Sequence, residues 1–238
     1  MAAPKRFFVS EIGEEVTLSG DEFRHAKNVL RLNVGDEVTL LDGKGGEYTA
    51  VICAIEKDKI RLHVLQKSEH NREPNAKVYL LCGALKGDKT ELVVQKAVEL
   101  GVEKIGIFSS QYCSAYVNEN KLERFNRVSR EAAKQCLRSR APEVVFFEKF
   151  EDALRSCAGY DNQLFACEFL QESEKSWGKL SGSTAIVVGS EGGFTEAEFA
   201  LAKAQGFQGV SLGKRILRAE TAAISLLSVV MFLSGEWR

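Results

Sequence analysis

The sequence has little proline and histidine, three of each in 238 residues, and it carries almost no net charge: 32 basic groups face 33 acidic ones. With 45% hydrophobic residues and a charge near zero, it lacks the composition of a disordered chain. The same balance argues against a protein that coats nucleic acid indiscriminately, although a local basic patch can hide inside a neutral total. No run approaches the roughly 20 apolar residues of a membrane span. The opening Met1–Gly13 also lacks the apolar core and cleavage signal of a secretory leader. The six cysteines, Cys53, Cys82, Cys113, Cys136, Cys157 and Cys167, include no CxxC pair. They read as reduced, mostly buried thiols of a cytoplasmic protein. His25, His63 and His70 stand near no cysteine and form no metal-type pair, so no metal site is expected.

What is present divides into two halves, 1–72 and 73–238, joined in the polar stretch His70–Asn75. In the first half, Val38–Leu40, Tyr48–Ile52 and Ile60–Val64 alternate apolar and polar positions, the period of a half-buried strand. Glycine and aspartate turns separate them, and one short helix is expected over Asp21–Leu30. Closely spaced strands of this kind suggest a small β-barrel. From residue 76 strands and helices alternate. Strands are expected at Val78–Leu85, Lys104–Ser110, Val144–Phe147, Gln163–Cys167, Thr184–Gly189 and Gly209–Leu212. Helices are expected at Asp88–Leu100, Leu122–Arg138, Thr195–Gln205 and Ala219–Leu233. That order is the pattern of an α/β domain with a mostly parallel sheet.

Three segments carry chemical information. In Val187–Glu196 an apolar strand runs into the glycine loop Gly189-Ser190-Glu191-Gly192-Gly193, and a helix opens at Thr195 with Glu198 placed for a capping box. Ligands of open α/β sheets sit at such strand ends. The loop has neither the Gly-Lys-Ser/Thr of a P-loop, nor the GxGxxG of a dinucleotide turn, nor the GxSxG of a nucleophile elbow. In Leu212–Ala222 a second strand end is followed by Lys214, Arg215 and Arg218, so both loops are expected to border one crevice. The third segment, Lys121–Arg140, has a net charge of +5. At about 100° per residue, Arg124, Arg127, Arg130, Lys134 and Arg138 share an arc of roughly 120°. Leu122, Phe125, Val128, Ala132 and Cys136 lie opposite, so the helix presents a basic face suited to phosphates.

The pair GSEGGFTEAE and LGKRILRAETA resembles the C-terminal signature of the bacterial 16S rRNA uridine-N3 methyltransferases of the SPOUT superfamily. The resemblance extends to Lys86–Ile105 and Glu131–Val144. In the first half it includes Arg6–Val9, His25, Val29–Arg31 and Gly35–Asp36. It implies a PUA-like β-barrel that helps bind RNA, and a SPOUT-type α/β domain whose last segment threads a trefoil knot, a rare exception to unknotted topology. It also implies a homodimer, S-adenosyl-L-methionine as cofactor, and as substrate uridine 1498 in the decoding region of 16S rRNA in the small ribosomal subunit. Carried onto this sequence, the cofactor loops contain Cys167, Glu168, Gly189, Ser190, Glu191, Gly192, Gly193, Leu212, Gly213, Ile216, Leu217 and Arg218. Two departures stand out: Ser190 replaces the family's usual proline, and Tyr112 stands where an arginine is usual.

Uridine N3 is protonated at neutral pH and becomes a nucleophile only as that proton leaves. A cation beside O2 or O4 stabilises the anion, and a base accepts the proton. Arg218 is the expected cation, with Glu191 or Glu220 as the base and no metal. Arg6, Arg31, Arg124, Arg127, Arg130, Lys134 and Arg138 are expected to hold RNA phosphates. Two other readings fit these residues. One is a SPOUT methyltransferase with another target, such as a 2′-hydroxyl of tRNA or rRNA. The other is a non-catalytic ribosome-assembly factor that binds RNA and has no need of a cofactor pocket.

Overall fold

Strand and helix periods translate directly into the observed elements. In the computed structural model, which describes residues 5–69, 72–167, 170 and 177–237, the chain divides into two units. The first comprises Met1–Glu73 with Ala133–Ala141, and the second Pro74–Ala132 with Pro142–Arg238.

The first unit is a five-stranded sheet in the order β1-β3-β4-β5-β2. Its strands are β1 (Arg6–Phe8), β2 (Glu15–Leu18), β3 (Glu37–Leu41), β4 (Glu47–Ile55) and β5 (Ile60–Lys67). β1 runs parallel to β3, and the other pairs are antiparallel. Every strand sends side chains to one core, including Phe7, Leu18, Leu40, Ile52 and Leu62. Two register shifts in β4 add twist and curl the sheet over that core. The expected helix is α1 (Gly20–Arg24), continued by a π-helical stretch over His25–Val29. It closes at Leu30, and Arg31 just beyond stands at φ +52°. β1 and β2 escaped the sequence reading because three or four residues are too few to establish a period.

The second unit is a six-stranded sheet, parallel throughout, in the order β11-β9-β10-β6-β7-β8. The strands are β6 (Val78–Gly83), β7 (Lys104–Phe108), β8 (Val144–Phe147), β9 (Asn162–Ala166), β10 (Thr184–Val188) and β11 (Gln208–Val210). Central β6 and β10 are buried at every position, as strands covered on both faces must be. The helices are α2 (Lys89–Leu100), α3 (Glu119–Gln135), α4 (Phe150–Arg155), α5 (Glu196–Ala204) and α6 (Ala219–Leu233). α6 packs on α2, β6 and β10. Beneath the sheet's carboxyl edge lies an aromatic cluster in which Phe194 meets Phe165 at 4.3 Å, Phe150 at 5.3 Å and Phe108 at 6.2 Å between ring centroids.

Helix α3 stops at Gln135, three residues before the expected end. Leu137 turns into the left-handed region at φ +66°. Its N–H bonds the Lys134 carbonyl, and the Arg138 N–H bonds that of Ala133. This is a Schellman ending, built on leucine where glycine is usual. The segment beyond it belongs to the first unit because Glu73 holds it. The Glu73 carboxylate accepts from the Arg138 guanidinium (2.8 Å), the Ser139 N–H (2.8 Å) and the Arg140 N–H (2.9 Å).

Candidate functional site

In a parallel sheet all carboxyl ends lie along one edge, so the three adjacent strands β11, β9 and β10 deliver their following loops to one place. There they line a cavity of about 870 Å³, within the range of small-molecule sites. Ten of the twelve predicted cofactor residues line it: Cys167, Gly189, Ser190, Glu191, Gly193, Leu212, Gly213, Ile216, Leu217 and Arg218. Glu168 lies outside the described residues. Gly192 does not line the cavity. A methyl group on its Cα would stand 2.6 Å from Cβ of Tyr112 and 2.9 Å from the Tyr112 carbonyl oxygen, so position 192 is glycine because the neighbouring loop presses against it.

The glycine loop is shaped from both sides. Phe194, 1% exposed, tucks beneath it, and any side chain at Gly189 would strike that ring at 2.9 Å. The Gly193 N–H bonds the Ser190 carbonyl at 3.0 Å, closing the turn with Gly193 at φ +67°. The expected capping box is present: the Glu198 N–H donates to the Thr195 hydroxyl (3.1 Å) and the Thr195 N–H to Glu198 (2.9 Å). The second loop turns at Gly213, φ +100°. Arg218 occupies the N-cap position of α6, but its side chain makes no capping hydrogen bond. It lines the cavity and is exposed.

Lys89 was not singled out by the sequence reading, although it lies within the resembling segment. Its ammonium sits 3.3 Å from Glu191 and 3.7 Å from Glu220, joining α2 to the glycine loop and to the first turn of α6. Burial works against the charge of Glu191. Hydrogen bonds from the Lys86 N–H (3.1 Å) and Lys89 outweigh it and hold the carboxyl below the usual carboxylate range. Gly83 was also missed. It ends β6 against the backbone of Gly189 and Ser190, where no side chain fits. Neither position carries a signal in one sequence, because both matter only through neighbours about a hundred residues away.

The wall fits a polar ligand. The Ser190 hydroxyl is buried without a hydrogen-bond partner, a costly condition for a group that can bond. The glycines bring main-chain groups to the cavity surface. Cys167 is buried beside it, one of three buried thiols; Cys53 lies exposed, contrary to the mostly buried set expected. Among the described residues no group of three or more His, Cys, Asp or Glu side chains is placed to hold a metal, and no helix is long and apolar enough to cross a membrane.

The structure divides the seven expected RNA-contacting cations. Arg6, Lys134 and Arg138 are turned inward within the first unit. Arg6 pairs with Glu47 at 2.6 Å, Lys134 with Glu22 at 2.8 Å and Arg138 with Glu73 at 2.8 Å, and each is at most 8% exposed. Their guanidinium and ammonium groups are engaged by carboxylates and do not face solvent, which corrects the expectation of a continuous basic arc. The wheel missed this because the helix ends before Arg138 and its last turn lies against the first unit's own acidic residues. Arg31 is exposed in the first unit. Arg124, Arg127 and Arg130 are exposed on α3 in the second, with Arg124 paired to Glu91 at 2.8 Å.

A parallel sheet with a ligand cavity at its carboxyl edge, preceded by a small β unit, defines the class. Residues 71–231 match the family model of an RNA methyltransferase domain, and residues 18–65 match that of an RNA methyltransferase PUA domain. Ribosomal RNA small subunit methyltransferase E of Bacillus subtilis is 31% identical over 96% of both chains, and its namesake in Synechocystis is 33% identical over 90% of this chain and 72% of its own. Among solved structures, ribosomal RNA small subunit methyltransferase E of Neisseria gonorrhoeae bound to S-adenosyl methionine superposes with a TM-score of 0.87 at 30% identity, covering 97% and 98% of the two chains. The chain belongs to the ribosomal RNA small subunit methyltransferase E family.

Proposed function

We propose that this protein methylates N3 of uridine 1498 in 16S rRNA, acting on the small ribosomal subunit with S-adenosyl-L-methionine as methyl donor. The observation that carries the reading is the convergence of ten cofactor-loop residues on one cavity, in a chain similar over its length to methyltransferases of this name. When bound, S-adenosyl-L-methionine supplies an electrophilic methyl group on a positively charged sulfur. The backbone of Gly189, Ser190, Glu191, Gly193 and Leu212–Leu217 would hold it, and the orphaned Ser190 hydroxyl would be available to hydrogen-bond it.

The chain's own residues must turn the uracil into a nucleophile. Arg218, exposed at the cavity and free of a capping role, stabilises negative charge on O2 or O4 as the N3 proton leaves. Glu191 lines the cavity and accepts that proton. Its lowered pKa makes it a weak base, so Arg218 carries the larger share. Glu220 sits behind Lys89 and keeps that ammonium in place for Glu191. Arg31, Arg124, Arg127 and Arg130 contact phosphates.

Ile216, 90% exposed on the cavity loop, is the kind of apolar side chain that a partner subunit covers in a homodimer. The return of the chain from edge strand β11 to α6, packed over central β6 and β10, is compatible with a trefoil knot. Cytoplasmic residence follows from a ribosomal substrate. The test is nucleoside mass spectrometry of rRNA from a deletion strain complemented with wild type or Arg218→Ala. Wild type restores 3-methyluridine, and the variant leaves it at least about tenfold lower while still binding cofactor. Near-normal methylation by a folded Arg218→Ala protein would reject this role.

A further inference from the structure

The loop between β7 and α3 presses on the glycine loop yet lines no part of the cavity. It is fastened at three points: the Gln111 N–H bonds Glu198 of the α5 capping box (2.8 Å), Cys113 Sγ bonds the Ala84 carbonyl beyond β6 (3.2 Å), and the Lys121 ammonium bonds the Tyr116 carbonyl (2.7 Å). From this anchored loop Tyr112 and Tyr116 stand 53% and 75% exposed. Two aromatic rings left in water on a tethered backbone within five residues are unusual for a loop that packs for stability alone. Tyr112 abuts Gly192, one residue from cavity-lining Glu191 and Gly193. The chain that follows carries exposed Lys121, Arg127 and Arg130.

We infer that Tyr112 and Tyr116 form a stacking platform for unpaired bases of the RNA substrate, beside the cavity where the methyl group is transferred. The inference rests on the proposed reading of the protein as an rRNA methyltransferase. An enzyme that reaches N3, an atom on the Watson–Crick edge, needs its target unpaired, and unpaired bases are held by stacking on aromatic rings with cations on the flanking phosphates. Charge complementarity favours RNA as occupant: rings stand beside the cavity, with cations immediately after them in the same chain.

The test measures binding of full-length protein to small ribosomal subunits that lack the methyl group, alongside calorimetric titration with S-adenosyl-L-methionine and sedimentation. Tyr112→Ala/Tyr116→Ala, and the bulk-preserving Tyr112→Leu/Tyr116→Leu, are expected to weaken subunit binding on the order of 5- to 100-fold. The double Phe variant is expected to stay within about threefold of wild type, since the ring face is kept. The slope of log affinity against log salt should not change, because stacking releases no counterions. Cofactor affinity and sedimenting mass should match wild type. Subunit affinity within about twofold of wild type in both Ala and Leu variants overturns the inference. So does a loss of affinity accompanied by a smaller sedimenting mass, which would assign the tyrosines to an interface between copies. Failure of the wild-type protein to bind cofactor or methylate rRNA would overturn the methyltransferase reading, while the binding comparison would still decide the stacking.

Discussion

Replacing Gly83 by alanine tests how the cavity is built. A methyl group there would stand 2.5 Å from the Ser190 backbone nitrogen, 2.9 Å from the Gly189 carbonyl carbon and 3.1 Å from Cα of Ser190. All three are backbone atoms at the end of β10, which cannot swing aside as a side-chain tip does. Non-bonded carbon atoms prefer about 3.5–4.0 Å, so the glycine loop must retreat by about 1 Å. Overpacking of this kind costs about 1–3 kcal/mol. At about 2–4 °C per kcal/mol for a chain of this size, Tm should fall by roughly 2–12 °C. The same shift moves Gly189, Ser190, Glu191 and Gly193, all of which line the cavity, so cofactor affinity should drop at least about tenfold. Gly87→Ala is the control. Gly87 sits at φ +64° with nothing within 4 Å, so it costs about 1–2 kcal/mol of backbone strain and leaves cofactor affinity alone. Calorimetric unfolding and titration read both quantities. A Gly83→Ala protein with wild-type Tm and wild-type affinity would refute the packing argument.

Lys89→Met should lower kcat/KM about tenfold or more, because it removes the ammonium between Glu191 and Glu220 and leaves two carboxylates without their shared cation; an unchanged value in steady-state kinetics counts against the clamp. Arg127→Ala/Arg130→Ala should reduce the salt slope of RNA binding by about 1.5, whereas Arg138→Met should cost stability and leave the slope untouched. Glu73 is held below the ordinary carboxylate range although burial opposes its charge, because Arg138 and the N–H groups of Arg140 and Ser139 outweigh that burial. Its contribution to stability is therefore complete above the unfolded value of about 4.3 and is lost as pH falls through the lower folded value. Glu73→Gln should flatten stability against pH below about 4.3, and Glu73→Ala should cost about 3 kcal/mol by removing a carboxylate that the buried Arg138 guanidinium pairs with, both measured by urea unfolding.

The contrast between the two loops and the basic helix explains what was legible. Local patterns carried the capping box at Thr195, the end of α2 at Leu100 and the end of β10 before Gly189, because short-range hydrogen bonds and backbone angles depend on adjacent residues, whereas β11 stops at Val210, short of the expected Leu212. The basic arc failed at Arg138 and Lys134 for the opposite reason: a wheel records direction around an axis and is blind to the carboxylates of Glu73 and Glu22 waiting on other elements. Gly83 looks like an ordinary glycine until Ser190 is seen against it, and Gly192, expected at the cofactor, is instead packed against Tyr112.

Ordinary hydrophobic content and almost no net charge already argued against disorder, and the two glycine-bearing motifs pointed to the cofactor. Those conclusions need only the chain's own order, since period, capping and motif are properties of neighbours in sequence. Tertiary structure alone decided that Gly83 presses on the glycine loop, that Lys89 joins that loop to α6, and that three of the seven expected RNA-binding cations are engaged in buried ion pairs. Each of these depends on contacts between residues far apart in the chain, and such contacts exist only once strands have chosen their neighbours and buried charges have found partners.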